Sequence, residues 1–131
     1  MKILIAEDDF TSRLLLQEMM KSYGLSHIAV NGKEAVAAVQ LALKMGAPYD
    51  LICLDVLMPE MDGHEALKEI RLIEEDQGFV GKGRAKIIMT TSLADKTNVM
   101  KARDSECDYY LIKPYDRVKL QQALYTLNLV T

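Results

Sequence analysis

"DLICLDVLMPEMDG" (residues 50–63) decides how this chain folds. Four apolar residues, Leu51 to Leu54, run without polar alternation and stop on Asp55. A run of that length reads as a strand buried on both faces, the kind found in parallel sheets covered by helices. Pro59 and the Asp62–Gly63 pair then break the strand and open a helix. Asp55 needs an explanation, because a carboxylate at the end of a buried run is costly unless something compensates it.

Similar runs lie on either side: "KILIA" (2–6), "HIAV" (27–30), "KIIMTT" (86–91) and "YYLI" (109–112). Between them the apolar spacing turns helical. Leu15, Met19 and Met20 mark a first helix ending near Gly24, and Val36, Val39 and Leu43 a second ending near Gly46. Leu67, Ile70 and Ile73 mark a third, Val99 and Ala102 a shorter fourth after Asp95, and Leu120, Leu124 and Leu127 a fifth after Pro114. Asn31 with Glu34 and Asp62 with Glu65 have capping-box spacing. The segment "EDQGFVGKGRA" (75–85) reads as a surface loop, since its glycines lack phosphate-loop spacing and precede a strand. The pattern is (βα) five times over, which predicts an α/β fold with a doubly wound, five-stranded parallel sheet. Ligands of such sheets bind beyond the carboxyl ends of the strands.

The whole chain sets limits on function. With 131 residues, a single domain over 1–131 is expected, and the fifth helix uses the chain to about Asn128, leaving no room for an output domain. A net charge of −3 and no basic cluster argue against direct nucleic-acid binding. Cys53 and Cys107 lack metal spacing and are expected as free, buried thiols. Only five apolar residues precede the first acids, too few for a signal peptide or membrane insertion, so a cytoplasmic location is expected.

The strand ends gather chemistry on one edge. Glu7, Asp8 and Asp9 follow the first strand, Asp55 ends the third, Thr91 and Ser92 end the fourth, and Lys113 ends the fifth. Clustered carboxylates repel one another unless a cation joins them, and hard oxygen ligands suit Mg²⁺. A metal and the Lys113 ammonium would make Asp55 tolerable there. They would also let its oxygen attack a phosphoryl group while cation and hydroxyl stabilise the equatorial oxygens. Alone, the three acids after the first strand would more often be helix caps and solvated charge; the joint placement with Asp55 and Lys113 is what favours chemistry.

"ILIAEDD", "DLICLDVLMPEMDG", "IIMTTS" and "YYLIKP", in that order, span essentially the whole chain, and the ordered set resembles the response-regulator receiver domains of two-component signalling. The resemblance implies a flavodoxin-like sheet in the order 2-1-3-4-5. It implies that Glu7 and Asp8 are the acidic pair for Mg²⁺, Asp8 binding directly and Glu7 directly or through water. Leu57 would add its backbone carbonyl to the metal. Asp55 would be the phosphoacceptor, with Pro59 and Gly63 shaping the turn into the third helix. Thr91 would be the switch hydroxyl, Tyr110 the aromatic that follows it, and Lys113 the phosphate-binding lysine before a cis peptide to Pro114. Asp9 falls one position past the pair and is expected to cap the first helix.

The implied function is a stand-alone receiver that takes a phosphoryl group from a sensor histidine kinase or a histidine phosphotransfer protein. It would catalyse only its own phosphorylation and dephosphorylation, and signal to a downstream protein target. The outgoing surface would be the fourth helix, fifth strand and fifth helix, including Lys101, Tyr110 and Arg117. The alternatives are a phosphorelay intermediate and a degenerate receiver that binds partners without phosphorylation. A haloacid-dehalogenase-like phosphatase is disfavoured because Leu57 stands where its general-acid aspartate is needed, and a flavin domain because the acidic edge repels its phosphate. Glu7 in place of the commoner aspartate and Ser92 in place of a small alanine are departures from the family pattern. Leu57 and Leu93, both apolar, stand at positions that tune attack by water, which predicts a long-lived phosphorylated state.

Overall fold

The structure, a computed structural model, describes residues 1–92 and 107–131. The expected fourth helix, with Val99, Lys101 and Ala102, and the position of Leu93 lie outside those residues. The strands are β1 (Lys2–Ala6), β2 (Leu25–Ala29), β3 (Leu51–Asp55), β4 (Lys86–Ser92) and β5 (Tyr109–Lys113). They form one parallel sheet in the order β2-β1-β3-β4-β5. Strand order reverses between β1 and β3, so the carboxyl ends of these two strands open a crevice where the sequence places Glu7 and Asp55.

Strand alternation divides the core into two layers. Leu4, Ile52, Leu54, Ile87 and Met89 pack with Ala35, Val36 and Val39 of α2 (Gly32–Lys44) and with Ala66, Leu67 and Ile70 of α3 (Gly63–Asp76). Ile3, Ile5, Leu51, Cys53, Ile88 and Leu111 face the other way, onto Leu16 and Met20 of α1 (Phe10–Met20) and Leu120, Ala123 and Leu124 of the C-terminal helix (Arg117–Thr126). Every residue of β3 is buried, as its unbroken apolar run predicts. Each such Leu or Ile contributes about 1.5–3 kcal/mol relative to exposure.

Helix starts follow the caps. Asn31 Oδ1 accepts from the Glu34 amide at 2.8 Å, and Asp62 Oδ1 from the Glu65 amide at 2.9 Å. Asp9 Oδ2 accepts from the Ser12 amide at 2.8 Å, so the third acid after β1 is a cap, as expected. Asp116 caps the C-terminal helix through the Lys119 amide at 2.9 Å, a role the sequence reading did not assign. At the start of α3 the chain is unusually close to β3. A Cβ on Gly63 would lie 2.3 Å from the Asp55 carbonyl oxygen, so only glycine lets the helix begin there.

Three expectations need correction. Cys53 is buried as expected, but Cys107 is only half-buried, its Sγ donating to the Tyr109 carbonyl at 3.0 Å. β2 begins at Leu25, two residues before the apolar run, and most of it is exposed. It is an edge strand, and its pairing of Leu25 and Ser26 with Lys2 and Ile3 leaves no burial signal to read. The expected loop over 75–85 is also shorter, because α3 continues through Asp76 and Gly81–Gly83 form a 3-10 turn.

The end of that segment is pinned by a buried charge network. Arg71 Nη1 donates to Glu74 Oε1 at 2.7 Å and to the Ala85 carbonyl at 2.8 Å, and Nη2 donates to Asp108 Oδ2 at 2.8 Å. Glu74 Oε2 accepts from the Ala85 amide at 2.7 Å, and Asp108 Oδ2 from the Ile87 amide at 2.8 Å. This ties α3 to the starts of β4 and β5, at the opposite end of the sheet from Asp55.

Candidate functional site

Glu7, Asp55 and Lys113 each stand two residues beyond a core residue of the α1-side layer, namely Ile5, Cys53 and Leu111. Alternation therefore carries all three charged side chains to the same side of the sheet. They meet there: Lys113 Nζ is 2.7 Å from Glu7 Oε1 and 3.5 Å from Asp55 Oδ2. Glu7 is also held by the Asp9 amide, which donates to Oε2 at 3.2 Å. Its own amide donates to the Ala29 carbonyl at 3.1 Å.

Electrostatics separates the two buried carboxyls. Burial pushes the Asp55 carboxyl up, the hydrogen bond and negative charge of Glu7 push it further, and Lys113 and the Leu57 amide pull back, leaving it at about 7. For Glu7 burial also works against the charge, but hydrogen bonds from Asp55 and Lys113, with the Lys113 charge and the Asp9 amide, outweigh it and hold Glu7 below the usual carboxylate range. Burial disfavours the Lys113 ammonium, yet Glu7 and Asp55 more than compensate and raise it. Of the two acids, Asp55 therefore holds a proton the more tightly, and Glu7 is the one that pairs as a carboxylate with Lys113. This explains how a buried run can end on an acid.

Of the other expected site residues, Asp8, Leu57 and Thr91 stand at the same carboxyl edge, Thr91 by alternation on the opposite face of the sheet. Asp8 is exposed and follows Glu7 at the mouth of the crevice. Leu57 exposes its side chain and turns its amide toward the Asp55 carboxylate. Thr90 is the register partner of Asp55. Thr91, buried, lies one step further along β4, its hydroxyl donating to the Ser92 carbonyl at 3.4 Å. Ser92 pairs with Lys113. Tyr110 is partly buried against the α2–α3 layer, the side on which Met89, and by alternation Thr91, also lie. The Lys113–Pro114 peptide is cis.

One carboxylate oxygen each of Glu7, Asp8 and Asp55 lie within 4.8 Å of one another. Among the described residues this is the set of metal-donor side chains close enough to share one ion. Three hard oxygen donors, one of them exposed and open to water, match the preference of Mg²⁺ for a few carboxylates with retained waters.

A profile of the response regulator receiver domain matches residues 3–125. The chain belongs to this receiver-domain family. The receiver domain is 31% identical over 130 residues to the chemotaxis protein CheY of Bacillus subtilis, covering 97% of this chain and 98% of that protein. It is also 31% identical over 125 residues to the osmosensing histidine protein kinase SLN1 of Saccharomyces cerevisiae, covering 94% of this chain and 10% of the kinase. It spans only about a tenth of the length of SLN1 and of other histidine kinases it matches. Among solved structures it superposes on the receiver domain of the sensor histidine kinase PA1611 from Pseudomonas aeruginosa with a TM-score of 0.77 and 26% identity, over 97% of both chains. That structure has a magnesium ion coordinated in its active-site cleft. Among the described residues of the present receiver domain, no helix is long and apolar enough to cross a membrane.

Two features of the receiver domain went unread in the sequence. Arg13 donates from Nη1 to the carbonyls of Glu7 (3.0 Å) and Asp8 (3.4 Å), and its only sequence signal is a position one turn into α1. Arg71 and Glu74 look in sequence like a solvated helical pair, and only their burial shows otherwise.

Proposed function

We propose that this receiver domain accepts a phosphoryl group on Asp55 from a phosphohistidine on a sensor histidine kinase or histidine phosphotransfer protein, and that Mg²⁺ bound by Glu7, Asp8 and Asp55 is its cofactor. The convergence of Glu7, Asp55 and Lys113 within 2.7–3.5 Å at the carboxyl edge carries this reading. When bound, Mg²⁺ would supply positive charge that favours ionised Asp55 and offsets that of the arriving phosphoryl oxygens. The Asp55 carboxylate oxygen attacks phosphorus, a new P–O bond forms, and the P–N bond breaks with its electron pair returning to the donor imidazole. Lys113 pairs with a phosphoryl oxygen, and the Thr91 hydroxyl turns to donate to another. The chain modifies only itself in this scheme and turns over no other substrate.

Tyr110 is the proposed reporter. As Thr91 moves toward the phosphoryl group, Tyr110 turns further into the space on the α2–α3 side, changing the surface of β5 and the C-terminal helix that a downstream protein reads. The half-buried position of Tyr110 supports this.

The test is intact-mass analysis after incubation with acetyl phosphate and MgCl₂. One phosphoryl group should be gained by the wild type and none by Asp55→Asn, and Lys113→Ala should slow the gain strongly. Mass gain in the Asp55 variant equal to wild type would reject the assignment.

A further inference from the structure

We infer that Arg13 is a positioning residue for the metal site: its guanidinium fixes the peptide planes that aim Asp8. The inference rests on the Mg²⁺ reading above. Glu7 needs little help, because its side chain is held by Lys113 and the Asp9 amide and its backbone amide by Ala29. Asp8 is different. Its side chain is exposed, and among the described residues its carboxylate accepts no hydrogen bond. The direction of that carboxylate is therefore set by the backbone on either side of it.

Arg13 holds both of those peptide planes. One nitrogen, Nη1, reaches back from α1 to the Glu7 carbonyl at 3.0 Å, which belongs to the peptide entering Asp8. The same nitrogen lies 3.4 Å from the Asp8 carbonyl, which belongs to the peptide leaving it. The guanidinium itself packs over the Phe10 ring, 5.5 Å from its centroid, so an exposed aromatic steadies the group that steadies the loop. Outer-shell partners of this kind set ligand orientation without touching the ion.

Two effects of Arg13 have opposite sign, which makes the inference decidable. As a cation near three acids, Arg13 opposes a divalent ion, so its removal should tighten Mg²⁺ binding if charge dominates. As the holder of two carbonyls, its removal should weaken binding by letting Asp8 swing. We expect the second to win, with Mg²⁺ affinity falling roughly tenfold, the lower end for lost outer-shell support.

The experiment is titration of the isotopically labelled 131-residue chain with MgCl₂, read by amide shifts, for wild type, Arg13→Gln and Arg13→Lys. The metal-free melting temperature is measured alongside. The expected result is weaker Mg²⁺ binding in both variants with metal-free stability little changed. Arg13→Lys keeps the charge but loses the planar guanidinium, so it should resemble Arg13→Gln. Equal or tighter binding in Arg13→Gln, wild-type affinity in Arg13→Lys, or weakened binding matched by loss of metal-free stability would each overturn the positioning role. Absence of Mg²⁺ binding in the wild type would instead overturn the metal reading beneath it.

Discussion

Replacing Asp55 by Asn should stabilise the metal-free protein, by an amount that depends on pH. Burial beside Glu7 pushes the carboxyl up to about 7 in the fold, well above the ordinary aspartate range. The folded state therefore binds the proton more tightly than the unfolded chain, and wild-type stability falls as pH rises from about 4 to about 7 and then levels off. The tighter hold on the proton corresponds to about 4 kcal/mol at full ionisation. Sharing of the proton with Glu7 and loss of the Lys113 contact in the variant reduce this, and about 2 kcal/mol is the expected gain. In a chain of this size that is roughly 5–10 °C in melting temperature. The assay is thermal unfolding in a chelator at pH 5 and pH 8. Asn should raise the midpoint clearly at pH 8, and the gap should shrink by more than half at pH 5. Adding MgCl₂ at pH 8 should stabilise wild type and leave the variant nearly unmoved. A variant less stable than wild type at pH 8, or a gap independent of pH, would refute the account of Asp55.

Three further outcomes are expected. Leu57→Asn should speed loss of phosphate from the modified protein roughly three- to tenfold, about 1 kcal/mol in the barrier, by adding an amide able to orient water; unchanged or slower loss sets aside the long-lived state. Arg71→Met should cost about 3–5 kcal/mol in urea unfolding, since it takes the Arg71 cation from buried Glu74 and half-buried Asp108; a cost below about 1 kcal/mol would mean the network is not holding α3 to β4 and β5. Gly63→Ala should cost about 1–3 kcal/mol and weaken Mg²⁺ binding, because the added methyl meets the Asp55 carbonyl; normal stability with normal metal affinity would argue against the close approach.

Much of this was legible in advance because it depends on local pattern. Unbroken apolar runs located β1, β3, β4 and β5, and capping residues located the starts of α2 and α3. The acids and lysine at the strand ends could be grouped because strand direction fixes which end each occupies. What stayed hidden depends on tertiary contact. β2 carries no apolar run over Leu25 and Ser26 because an edge strand need not be buried. Arg71 and Glu74 have the spacing of surface charges, and nothing local reveals that Asp108, 37 residues from Arg71, completes their network. The unequal pull on Glu7 and Asp55 likewise arises only when Lys113 arrives from β5. Arg13 was missed because a hydrogen bond from a side chain to a preceding loop leaves no mark on periodicity.

The sheet is a wall one residue thick, and the charged trio is mounted on one side of it. The layer built on α2 and α3 can therefore exchange one apolar residue for another, keeping its volume, without passing the disturbance to the acids. Gly63, Thr91 and Tyr110 are the places where that freedom should stop. Divergence among relatives should be lopsided: generous drift in the α2–α3 packing, and a narrow choice wherever the chain rounds the carboxyl rim.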